Sequence, residues 1–169
     1  MGKTLFGKPD KLRIPLDEHR FPCVGHLGDG TQFLAYGTGC FPDGYIPKTD
    51  NEDWRKVKRW IAVLHLFDSD GNHVLSDSRL GGYDIQGLEE TCQKMDVELQ
   101  TLLAPLRRQQ PRLGDIYVTL FSVVLDGVTH ALLYTHQVEP EEDYEGEWVM
   151  PEPRDIMFHP PWDSGQYST

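Results

Sequence analysis

Strand-length apolar runs broken by Gly-, Asp- and Pro-rich turns, with one stretch of helical periodicity among them, predict an α+β protein. The expected architecture is a mainly antiparallel sheet of about five to seven strands with one long amphipathic helix packed on one face. Two observations carry this. Lys58 to Phe67 (KRWIAVLHLF) is apolar on both alternating sets, as a covered interior strand requires. Ile85, Leu88, Cys92, Met95, Leu99, Leu102 and Leu106 recur at steps of three and four, which puts them on one stripe of a helix.

The elements follow in order. Residues 1–18 are polar and read as a loosely ordered lead-in. Phe21-Pro-Cys-Val-Gly-His26 and Thr31 to Gly37 flank Gly28-Asp29-Gly30 and form a hairpin. Residues 38–53, rich in Pro, Gly and acidic side chains, are a long loop. After the strand at 58–67, Asp68 to Asn72 is a turn, and His73 to Leu80 returns as a more polar edge strand. The helix follows, with Asp84 as its N-cap and Pro105 helping to stop it. Its ridge is expected to seal the ribbons at 60–67 and 116–125 from water. Asp126-Gly127 joins two further strands, Asp115 to Leu125 and Val128 to Gln137, the first of them interior. Residues 139–147 form an acidic loop, and residues 148–169 a packed C-terminal segment rich in aromatics. The whole chain, 1–169, reads as a single globular domain.

Composition narrows the function classes. The net charge is −11, unevenly placed: residues 61–169 carry nineteen Asp/Glu against six Lys/Arg. Such a field repels phosphates, which disfavours nucleic acid and favours a basic protein partner. No apolar run is long enough to span a bilayer, so no membrane association is expected. Three cysteines without CxxC spacing (Cys23, Cys40, Cys92) suit a reducing, cytoplasmic setting. The opening MGKTLF lacks the Ser or Thr of a myristoylation signal.

No motif for a cofactor is present, and none is expected. Among seven histidines, His65, His130 and His136 are the candidates for a metal site, because His130 and His136 share a strand face that His65 can approach. No HxH or HExxH spacing supports them, and satisfied histidines of a sheet are the favoured reading, so no metal is expected. Cys40, in a Gly-rich loop, is a candidate nucleophile that lacks the positive neighbour a thiolate needs. Asp68 to Asn72 has the residues of a turn more than those of a calcium loop. Trp54 to Trp60 (WRKVKRW) interleaves cations and aromatics in the manner of a single-strand nucleic-acid grip, against the field of the rest of the chain.

The layout of hairpins around one helix, with small size and acidity, resembles that of bacterial immunity and adaptor domains. The acidity of residues 61–169 and the absence of a catalytic constellation lead to the expectation of a non-enzymatic interaction module for a basic protein. Its expected anchors are Trp148, Trp162 and Tyr144, with Glu141, Glu142 and Asp143 supplying charge. A small metal-dependent or cysteine hydrolase using the histidines is the alternative.

Overall fold

The structure is a computed structural model that describes residues 5–48 and 53–169; residues 49–52 of the expected loop and the first four residues lie outside them. Twelve strands run β1 (Leu12–Ile14), β2 (Val24–His26), β3 (Gln32–Cys40), β4 (Arg59–Phe67), β5 (His73–Tyr83), β6 (Arg112–Leu113), β7 (Ile116–Val118), β8 (Ser122–Leu125), β9 (Val128–Glu139), β10 (Tyr144–Glu152), β11 (Met157–Phe158) and β12 (Tyr167–Ser168). Among the described residues there are also two α-helices, α1 (Trp54–Val57) and α2 (Leu88–Leu103), and three short 3₁₀ segments. The strands form two five-stranded antiparallel sheets, ordered β5-β4-β3-β2-β6 and β12-β11-β10-β9-β8, and a β1-β7 ribbon. The α+β class, the antiparallel pairing and the one long helix on a sheet are all present.

β4 shows why both of its faces are apolar. Ile61, Val63 and Phe67 enter a core shared with Val128, Leu132 and Val149 of the second sheet. Ala62 and Leu64 enter a separate core with Leu102 and Leu106. Alternation along one strand thus serves two layers at once. Each fully buried Val, Leu, Ile or Phe contributes about 1.5–3 kcal/mol, so the two-sided strand is a main source of stability. The β4–β5 turn is closed by Asp68, whose Oδ1 accepts the backbone N–H of Asp70 (3.0 Å) and Asn72 (2.9 Å).

α2 lies on the outer face of the first sheet, across β5, β4 and β3. Close approach depends on two glycines. A Cβ on Gly81 would sit 2.8 Å from Met95 Cα, and one on Gly37 would sit 2.6 Å from Met95 Cε. The helix begins later than the stripe implies. Asp84 to Gln86 form a 3₁₀ turn, and Gly87 is the N-cap, at φ 100°. Ile85 and Leu88 stay exposed, whereas Leu102 and Leu106 are buried. Asp84 is therefore not the cap. Its carboxylate instead accepts the Trp60 indole N–H (3.1 Å) and the Arg55 Nε–H (3.1 Å).

Three expectations change. The segment 115–125 is not one interior strand: β7 pairs with β1, and β8 is the edge of the second sheet, with Val124 exposed. Nor does the helix seal that segment, because Ile116 and Val118 sit in the core between the sheets. The polar lead-in contains a strand, since Leu12 and Ile14 are buried beneath β7 pairing. Asp115 holds it there, taking Arg13 Nη2 at 2.5 Å and the Leu16 N–H at 2.7 Å.

Candidate functional site

The β9–β10 hairpin pairs nine residues on each side, from Tyr144 opposite Glu139 to Glu152 opposite Ala131. Its flanks are much shorter. β8 lies against β9 only from Val128 to Ala131, and β11 meets β10 only at Val149. Beyond these points the hairpin is a bare two-stranded ribbon. Among the described residues, β10 has no strand partner other than β9 along residues 145–148. The outward N–H and C=O groups of that stretch are thus an open sheet edge.

The acidic segment 139–147 is not a loop throughout: Glu139 ends β9, residues 144–147 belong to β10, and only residues 140–143 turn the hairpin. Pro140 to Glu142 make a 3₁₀ turn, and Asp143 closes it at φ 50°, a left-handed conformation that Asp tolerates better than most residues. Glu141, Glu142 and Asp143 are exposed at the tip, as expected of charges that water solvates. Glu147, from the same run, is not solvated: it is buried. Its carboxylate accepts the N–H groups of Phe6 (2.7 Å) and Gly7 (2.9 Å) and the Tyr134 hydroxyl (3.0 Å). That network straps residues 5–7 across the hairpin. Hydrogen bonds of this charge-assisted kind are about twice as strong as neutral ones.

The strap and the open edge of β10 enclose a groove of about 580 Å³. Leu5, Phe6, Trp148, Met157 and Pro160 give it apolar walls, and His159 stands beside them. Phe6 is 59% exposed, which is high for a large aromatic side chain. Glu145 and Glu147 line the groove from one face of β10, and Gly146 and Trp148 from the other, because side chains alternate along a strand. Glu145 reaches the His136 ring at 2.9 Å. Among the described residues neither glutamate has a Lys or Arg ion pair, so the groove keeps negative charge.

Of the aromatic anchors expected from sequence, Trp148 is placed to serve as one and Trp162 is not, while the side chain of Tyr144 lies outside what the structure describes. Trp162 is buried at 8% exposure, donates its indole N–H to the Gly7 carbonyl (2.9 Å) and packs edge-on against Tyr134. It fastens the strap instead of offering a surface. Tyr144 begins β10 at the hairpin tip. Leu5, Phe6 and Glu147 were not legible as site residues; only the isolated Phe6 in a polar stretch hinted at a role.

The histidines divide. His65 and His130 do meet between the sheets, with ring centres 5.8 Å apart, and His73 lies 6.4 Å from His65. His136 does not join them; it is exposed on the hairpin with Glu145. His65 already uses both ring nitrogens, toward the Tyr36 hydroxyl (3.0 Å) and Ser76 Oγ (2.6 Å). Ser76 Oγ also lies 2.6 Å from His73 Nε2, so one hydroxyl joins two rings. Burial and the neighbouring His130 and His73 push the His65 pKa down to about 3, leaving it neutral near pH 7. His130 is fully buried, and its two ring nitrogens have no hydrogen-bond partner among the described residues. No group of three or more His, Cys, Asp or Glu among the described residues has metal-binding geometry.

Cys40 is not in a flexible loop. It ends β3, buried, and burial pushes its thiol up to about 11, opposite to what a nucleophile needs. Cys92 lies half-buried on α2, outside the two cores. The basic run is largely compensated in place: Arg55 pairs with Asp84, Lys56 with Asp53, Lys58 lies 4.8 Å over the Trp60 ring, and Arg59 donates to the Asp126 carbonyl. Among the described residues no helix is long and apolar enough to cross a membrane. Comparison of the chain with family models, with curated proteins and with solved structures finds no match to any of them.

Proposed function

We propose that the protein is an interaction module that takes a basic protein segment at the distal half of the β9–β10 hairpin. The observation that carries this reading is the groove beside β10, which joins an apolar floor, centred on Trp148 and Phe6, to carboxylates without a Lys or Arg partner among the described residues. Recognition surfaces commonly combine one aromatic anchor with a charged rim. Here the rim is Glu145 with the tip residues Glu141, Glu142 and Asp143. The division of labour is physical. Exposed charges at the tip act at long range and speed encounter with a cation, while desolvated contacts at Trp148 hold the complex together.

The test is selection of random peptides displayed on phage against the immobilised protein at low salt. Enriched peptides are expected to be cationic relative to the starting library. The triple substitution Glu141→Gln, Glu142→Gln, Asp143→Asn should slow association by roughly tenfold, as should raising salt toward 0.5 M. Trp148→Ala should chiefly speed dissociation. Peptides of no particular charge, or binding indifferent to both sets of substitutions in folded variants, would sink the reading.

A further inference from the structure

The open edge of β10 specifies how a partner is held, and not only where. We propose that the basic segment binds as an added antiparallel or parallel strand on the Glu145–Trp148 edge of β10, and that it is read as an alternation of cationic and apolar residues. This rests on the reading above of the hairpin as a binding surface, and deepens it.

The geometry supports each part. β10 is paired along its whole length on the β9 side but is bridged on its other side only at Val149. Four residues of edge therefore face the groove, a length that a short extended peptide covers at ~3.3 Å per residue. Groups of this kind recruit strands by main-chain hydrogen bonding, with specificity supplied by pockets for alternate side chains. On one face of an added strand, side chains would fall beside Glu145, with Glu147 buried under the strap; on the other they would fall beside Gly146 and Trp148. Cations on the first face and apolar or aromatic residues on the second answer that pattern.

Charge also chooses between occupants. A second copy of this chain, pairing β10 with β10, would set Glu145 and Glu147 against their own counterparts and bring two acidic tips together, and like charges across a strand pair repel. A basic strand meets the same groups with attraction.

The experiment uses the tightest library peptide from the selection above, synthesised unmodified and in two forms N-methylated at alternate residues. N-methylation removes a backbone donor and blocks one side of a strand while sparing the other. One N-methylated form should lose roughly tenfold or more in affinity and the other should bind nearly as the parent. The amides of β10 residues 145–148 that point away from β9 should exchange more slowly in the complex. The enriched library sequences should show Lys or Arg at every second position. If both N-methylated forms bind as the parent and the edge amides gain no protection, strand addition is overturned while a basic-peptide site remains. If no cationic peptide is enriched at all, the underlying reading fails instead.

Discussion

Mild acid should destabilise this protein through the histidines between its sheets, before its carboxylates titrate. His65 is 1% exposed, and its pKa falls from 6.5 in the open chain to about 3 in the fold. The unfolded chain therefore binds a proton between those values that the native state refuses. Stability is full above pH 6.5 and drains as pH falls toward 3, at about 1.4 kcal/mol per pH unit for one such group. Lowering the pH from 7.5 to 5.0 spans about 1.5 units below 6.5 and removes about 2 kcal/mol through His65 alone. Burial lowers His130 and His73 too, so their contributions have the same sign. The carboxylates held low, among them Asp17, Asp43 and Asp115, lose their contribution only in stronger acid. Glu152, raised by burial, opposes the trend. Urea unfolding at the two pH values measures the difference, and His65→Gln should flatten it. Equal or greater stability at pH 5.0, or an imidazole titration of His65 near 6.5 by NMR, would refute the account.

Further expectations concern packing. His130→Leu should raise stability by about 1 kcal/mol, seen as a rise of a few degrees in Tm, because it removes two buried nitrogens that have no described partner; a loss of that size would contradict it. Gly81→Ala should cost about 1–3 kcal/mol, since its Cβ meets the Met95 backbone, whereas Gly37→Ala should cost less because it meets only the mobile end of the same side chain. Denaturant midpoints should separate the two, and equal losses would show that α2 shifts freely. Trp162→Phe should release the strap at Gly7, with faster proteolysis near residues 5–8 and a loss of about 1 kcal/mol; unchanged cleavage would show that Glu147 holds the strap alone.

How much of this was legible beforehand depends on the range of the forces involved. Local periodicity determined the hairpin at Gly28 to Gly30, the two-faced strand read at 58–67, the edge strand that follows it and the existence of the helix, read at 85–106 and found at 88–103, because strand and helix repeats are set by backbone geometry and appear directly in residue spacing. The strand 12–14 escaped, since Leu12 and Ile14 alternate for only three residues and owe their burial to β7, about a hundred positions away. The break at 119–121 escaped for the same reason: the composition is continuous, but its two halves pair with different sheets.

The amino-acid sequence alone settled the α+β class, the antiparallel pairing and the Met95 to Leu106 part of the helix ridge, each a property of neighbours along the chain. Tertiary structure decided that the strands divide into two sheets, and that Glu147 is buried while Glu141 is not. It also decided that Trp162 closes the fold and Trp148 lines a groove. Identical residue types took opposite roles there because burial depends on what the chain places opposite a side chain, and nothing in its own neighbourhood records that.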